Sequence, residues 1–263
     1  MAKNNITVID DGSYRAAQAN ELAKELEGLE QRIQISCGID AVQTALATKA
    51  KYKFHILDPL QNYEGFDLVF IPGHEPLPAA PNIVPTFGLI NHIRPSTEFE
   101  AGVIAVLIGG KHVGGNFTAS DASALAAALP TGAKIWVTTS KRTEKPAADA
   151  LKAALPNAEF YDFNYDGQVN NPYEQMLKRA QQVVVTADSV RMVSEAASSG
   201  KTTFIFTPRE VHFSYIALKN QFVSNGYALE IGSHQGSTKP LNEAGRLAQI
   251  IKNFIDYQPT TNN

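Results

Sequence analysis

Two short runs of β-branched and aromatic residues, Val183–Val185 and Thr202–Phe206, flank the segment TADSVRMVSEAASSGK, whose apolar positions fall at helical spacing. Strand, helix and strand in that order specify a crossover between parallel strands, because a tight turn cannot reverse the chain twice in so few residues. The same alternation runs through most of the chain. In the first part ITVID leads into AAQANELAKELEGL, RIQIS into DAVQTALATKA, and FDLVFIPG into a loop. A second series opens at AGVIAVLIGG and continues through SDASALAAALP, AKIWVTT, EKPAADALKAALP, AEFYDF, the opening segment and HFSYIALKNQFVSNG, ending at NEAGRLAQIIKNFIDY. This is the pattern of an α/β protein with parallel sheets covered by helices.

The stretch PLPAAPNIVPTFGLINHIRPS is rich in proline and lacks clear periodicity, and it reads as the end of a first unit. The expected division is 1–98 and 99–263, with the break near Pro95 to Ala101 and a last helix from about Asn242 that crosses back to the first unit. At 263 residues, 44% hydrophobic and 19% charged, the chain can bury a large core. A net charge of −3 with no basic block argues against nucleic acid as the partner. The single cysteine, Cys37, excludes an intrachain disulfide and a cysteine-built metal site, and its surroundings IQISCGI suggest a small buried residue at a strand end. No signal peptide or run of about 20 apolar residues is present, so a reducing cytoplasm is the expected compartment, with peripheral contact to a membrane left open.

Ligands of such sheets bind at the carboxyl ends of the strands, so the loops to inspect begin at Asp10, Gly73, Gly109, Thr139, Thr186 and Thr207. Gly109 and Gly110 end a buried strand, where paired glycines serve either a tight turn or a close approach to a ligand. Neither the dinucleotide fingerprint nor the Walker lysine motif is present, so no nicotinamide cofactor is expected. In VTTSKRTEKP, Thr139, Ser140 and Thr143 offer hydroxyls, and Lys141 and Arg142 precede a helix. Cations at a helix N-terminus oppose its dipole unless an anion sits there; the alternative is a solvated basic turn. Asp188 or Ser189 can cap the helix that follows, and Glu195 either accepts hydroxyls of a vicinal diol such as a ribose or lies exposed on the helix surface. Asp10, Asp11, His74 and Glu75 follow strands of the first unit and are candidates for an acid or base. The other histidines, at 55, 92, 112, 212 and 234, show no zinc spacing, and no metal is expected.

Taken in order, VLIGG, VTTSKRT, NNPYEQML and VVVTADSVRMVSEAASSGK resemble the bacterial relatives of the plant mitochondrial-fission protein, over Ala101 to about Ala228. That family is similar to glycosyltransferases of the GT-B type and has also been labelled a predicted nucleoside-diphosphate-sugar epimerase group. The resemblance implies two Rossmann-like domains facing a central cleft, with the nucleotide held by the C-terminal one. It implies that Glu195 meets the ribose and that Ser189 to Met192, with Asp188 and Arg191, line the diphosphate and base. Gly109, Gly110 and Thr139 to Thr143 would then face the phosphates, and Asn171 to Tyr173 the base. The function implied is a metal-independent transfer from a nucleoside-diphospho-sugar donor, with no cofactor and an acceptor these motifs do not specify. Here Asp11, His74 and Glu75 would serve the acceptor. An epimerase of the same fold, or a non-catalytic scaffold for envelope or division machinery, is the alternative. The chain departs from the family pattern in Lys141-Arg142, where two arginines are usual, in Gly200-Lys201-Thr202, and in DDGSYRAAQ, which lacks the second glycine of the N-terminal motif.

Overall fold

The computed structural model describes residues 5–10, 16–112, 114–166, 171–233 and 236–257. These form two compact units, one of residues 1–92 with 242–263 and one of residues 93–241.

In unit 1 the strands are β1 (Ile6–Asp10), β2 (Ile33–Cys37), β3 (Tyr52–Ile56), β4 (Leu68–Pro72) and β5 (Ile83–Thr86), all parallel and in sheet order β1-β2-β3-β4-β5. Helix α1 (Ala16–Glu25) joins the first two strands and α2 (Val42–Ala47) the next two. The pleat sends Ile33, Ile35 and Cys37 of β2, and Tyr52, Phe54 and Ile56 of β3, into one core with Ala19, Leu22 and Leu26 of α1. Helix α9 (Glu243–Asp256) belongs to this unit and adds Ala244, Leu247, Ala248 and Ile251 to that core. Its first turn is tied down by polar contacts: Glu243 accepts from the Phe87 amide at 3.0 Å, and Arg246 donates to the Pro85 carbonyl at 2.7 Å.

Two of these strands are not evident from the periodicity of the sequence. In β3 the polar Lys53 and His55 alternate with the core residues, so the run lacks the uniform apolar character of its neighbours. In β5 Pro85 interrupts the ladder, which the strand tolerates because it lies at the sheet edge.

Unit 2 holds β6 (Val103–Leu107), β7 (Gly115–Asn116), α3 (Ala119–Ala128), β8 (Lys134–Thr138), α4 (Lys145–Ala154), β9 (Glu159–Tyr161), α5 (Phe163–Asp166) and α6 (Tyr173–Arg179). It continues with β10 (Gln182–Thr186), α7 (Val190–Ser198), β11 (Thr202–Phe206), β12 (Glu210–Val211), α8 (Phe213–Ser224) and β13 (Leu229–Glu230). The main sheet is parallel with order β13-β11-β10-β6-β8-β9, and β7 pairs with β12 in a small antiparallel ribbon. Strand β6 comes first in this unit yet lies in the middle. The chain builds outward through β8 and β9, then returns to β10 on the other side. Strand order therefore reverses between β6 and β10, and in open parallel sheets the crevice beyond the carboxyl ends at such a reversal is where ligands bind. Among the described strands, the sheet of unit 1 runs in sequence order, and the switch point lies in the main sheet of unit 2.

Candidate functional site

The loops that meet at this switch point contain most of the residues singled out from sequence. Gly109 and Gly110 follow β6. The Gly109 amide donates to the Thr186 hydroxyl at 2.8 Å, which ties the end of β6 to the end of β10. The turn after β8 closes from the other side: the hydroxyls of Ser140 and Thr143 donate to the Gly109 carbonyl at 2.6 and 2.5 Å, and the Lys111 amide donates to the Arg142 carbonyl at 2.9 Å. Glycine is required here for two separate reasons. A side chain at Gly110, whose φ is +148°, would run into the Arg142 carbonyl and the Thr143 amide, and one at Gly109 would run into the Asp188 carboxylate. The glycine pair thus serves close approach between the protein's own loops.

Arg142 is half-buried and spans two loops, with its guanidinium 3.4 Å from the carbonyls of both Gly110 and Asp188. Lys141 is exposed beside it. The helix after this turn, α4, starts with Pro146 in its first turn as read from sequence, and its N-cap is Glu144. The Glu144 carboxylate accepts from Asn116 at 2.7 Å and Lys111 at 3.0 Å, and these two contacts hold it below its ordinary pKa. Thr139 turns away from this crescent: its hydroxyl donates to Asp162 at 3.2 Å and accepts from the Phe163 amide at 2.9 Å.

Helix α7 is capped by Ser189, whose hydroxyl accepts from the Met192 amide at 3.4 Å. The helix is buried from Met192 to Ser198. Small residues allow that depth, and the hydroxyls of Ser194 and Ser198 return to carbonyls four residues back at 2.7 and 2.9 Å, so no hydroxyl of this pair is stranded. Glu195 is 2% exposed, which rules out a solvated position on the helix surface. Its carboxylate accepts from the Tyr173 hydroxyl at 2.6 Å and from Arg191 Nε at 2.8 Å, the latter an i,i+4 pair whose arginine is half exposed. Burial first, and then Glu195, push the Tyr173 phenol well above its ordinary pKa, so it remains the donor. Asn171 places that phenol by accepting from the Tyr173 amide at 3.0 Å at the start of α6.

Asp188 is 1% exposed. One carboxylate oxygen accepts a short hydrogen bond from the Gly110 amide, and the other, Oδ1, is buried with no hydrogen-bond partner among the described residues. Lys111, Asn116 and Glu144 were not anticipated from sequence. A glutamate two residues after Arg142 was the available signal, since an acid there already satisfies the helix dipole.

His74 and Glu75 lie in unit 1, after β4. His74 is 5% exposed, its Nε2 is 3.6 Å from Glu75, and its Nδ1 has no hydrogen-bond partner among the described residues. Burial pushes its pKa down to about 4, so the ring is neutral at pH 7. Asp11 lies outside the described residues. No group of three or more His, Cys, Asp or Glu among the described residues is placed to hold a metal, and no described helix is long and apolar enough to cross a membrane.

Two parallel α/β units, the second with a switch point between β6 and β10, give the chain a fold of the GT-B-like class. The fold agrees with that of AviGT4, a glycosyltransferase involved in avilamycin A biosynthesis, at a TM-score of 0.51 and 10% identity, covering 95% of this chain and 96% of that one. The family model described as Mitochondrial fission ELM1 matches residues 4–255, and the chain belongs to that family. An uncharacterized protein of Rickettsia prowazekii (strain Madrid E) is 31% identical over 195 residues, covering 65% of this chain and 54% of that protein. The mitochondrial fission protein ELM1 of Arabidopsis thaliana is 25% identical over 270 residues, covering 84% of this chain and 63% of that protein. The chain thus spans a little over half to under two thirds of the length of these relatives.

Proposed function

We propose that the protein binds a nucleoside-diphospho-sugar at the switch point of unit 2 and transfers the sugar to an acceptor. The observation that carries this reading is the convergence of Gly109–Gly110, Arg142 and Asp188 where strand order reverses between β6 and β10, with Glu195 buried farther along the helix that follows β10. Lys141 and Arg142 are the cations available to take up charge on a leaving diphosphate as its bond to the anomeric carbon breaks. Glu195 fits a ribose-facing role because its two protein donors leave acceptor capacity on each oxygen while fixing its orientation. A nucleotide-binding role is favoured over a scaffold role because a buried carboxylate held by a half-buried tyrosine is a costly arrangement for a surface meant only for docking.

A screen of nucleoside diphosphates and their sugar conjugates, read by calorimetry, tests the binding step. Analysis of products with and without candidate acceptors tests the chemistry: release of nucleotide only with acceptor present identifies a transferase. Isomerisation of the sugar without acceptor identifies an epimerase, and absence of any nucleotide affinity returns the protein to the scaffold class. Within the binding reading, Glu195→Gln should weaken a nucleoside and its diphosphate alike, by roughly tenfold to a hundredfold, because the ribose is common to both.

A further inference from the structure

Helices α3, α4 and α7 of unit 2 each follow a strand, each N-terminus is a natural place for an anion, and each of the three carries a carboxylate of the chain. At α3, Asp121 completes a capping box with Thr118. At α4, the N-cap is Glu144, held by Asn116 and Lys111. At the nine-residue α7, Asp188 lies one residue before the cap, with its carboxylate in the space that a side chain at Gly109 would fill and bonded to the Gly110 amide. The first two carboxylates are fully used: Asp121 accepts from the Thr118 amide and hydroxyl on one oxygen and from the Arg209 amide on the other, at 2.9, 2.6 and 3.0 Å. Asp188 differs. Its Oδ1 is buried and has no hydrogen-bond partner among the described residues, although an unpaired oxygen on a buried carboxylate is expensive.

We infer that Asp188 bars phosphate from the cradle formed by Gly109, Gly110 and the first turn of α7, and that the group lodged there is an uncharged hydrogen-bond donor of the ligand. A phosphate oxygen brought to this cradle would meet Oδ1 at close range, acceptor against acceptor and charge against charge. A hydroxyl or amide N–H at the same point would satisfy it. The phosphates of the ligand are then left to Lys141 and the half-buried Arg142, on the β8 side of the crevice. This rests on the reading that unit 2 binds a nucleotide, and it specifies which part of the nucleotide goes where.

Asp188→Asn is the direct test. The amide oxygen can keep the Gly110 bond, while the amide nitrogen replaces the unpartnered oxygen with a donor. Calorimetry on the full chain with UDP, ADP and GDP and with uridine, adenosine and guanosine, in the presence of EDTA and then of Mg²⁺, gives the ratio of diphosphate to nucleoside affinity. The substitution should raise that ratio at least tenfold, and the melting temperature should hold or rise as a buried unpaired charge is removed. If the ratio is unchanged or falls, the inference is wrong while the nucleotide reading stands. A wild-type ratio that collapses on EDTA would show a cation bridging Asp188 to phosphate and would also overturn it. If neither protein binds any of the six probes, the nucleotide reading falls and this inference with it. Should the asparagine variant fail to fold, Asp188→Ser, which also removes the charge, carries the same test with the same outcomes.

Discussion

Glu195 of α7 receives the hydroxyl of Tyr173, a residue 22 positions earlier in the chain, at 2.6 Å. The bond joins the start of α6 to the middle of α7 and leaves the glutamate with donors on both oxygens. Tyr173→Phe strips one of them. A buried carboxylate oxygen left without its donor costs about 1–3 kcal/mol, so the variant should unfold at lower urea with an unchanged slope. In a double-mutant cycle with Glu195→Gln the two losses should be strongly non-additive, coupling by about 1 kcal/mol or more. Additive losses would mean that the pair does not function as a unit.

Arg142→Ala should separate phosphate from nucleoside. Among the described residues its guanidinium makes long contacts to two carbonyls, and it is half-buried, so stability should change by about 1 kcal/mol or less. Affinity for a nucleoside diphosphate should fall by roughly tenfold to a hundredfold while affinity for the nucleoside stays nearly constant. Equal losses for both ligands would place Arg142 on the base or ribose instead.

Gly110→Ala should damage the site through the backbone. At a φ of +148° a methyl group would overlap the Arg142 carbonyl and the Thr143 amide, which are backbone and have no rotamer to change. The expected loss is on the order of 2 kcal/mol or more, seen in thermal unfolding. A melting temperature within a degree of the parent would show that the turn after β8 moves freely, contrary to its hydrogen bonds with Gly109.

Acid should weaken unit 1 through two buried histidines. Burial pushes His55 and His74 each down to about 4; at His55 the nearby Asp58 opposes that shift without cancelling it. Both rings stay neutral in the folded chain while the unfolded chain takes up protons below about pH 6.5. Stability is therefore complete above that pH and declines as pH falls from about 6.5 toward 4, by about 2 kcal/mol per histidine at pH 5. Urea midpoints at pH 7.5 and pH 5 should differ accordingly, and the difference should shrink when both residues are replaced by glutamine. An identical pH dependence in the double variant would assign the effect to other groups.

The local code was legible where it is redundant. The runs ITVID, RIQIS, FDLVFIPG, AGVIAVLIGG, AKIWVTT and the two around α7 form strands, because β-branched and aromatic residues there have no competing helical periodicity. It failed at β3, where Lys53 and His55 face a partly polar layer in which Ser36 meets His55 at 2.8 Å, and at β5, where edge position excuses a proline. The Lys141-Arg142 turn was legible as a conflict with the helix dipole. That Glu144 already answers that conflict at the N-cap depends on Lys111 and Asn116, which are about 30 residues away and reach it only in the folded sheet.

By itself the sequence determined most of the strands and helices, though not β3 and β5, which loops follow those strands, and that one helix between two core strands carries Asp188, Arg191 and Glu195. Those are properties of periodicity and side-chain chemistry, readable within a window of a few residues. Only the tertiary structure decided that β6 lies between β10 and β8, because strand order is set by long-range pairing. Only it decided the fate of each charge. Asp188 reaches Gly110 across 78 residues and Glu195 reaches Tyr173 across 22, and burial turns both from surface acids into fixed acceptors. A carboxylate in water is only a charge; with its donors placed by the sheet and its solvent excluded, it becomes a site with a direction.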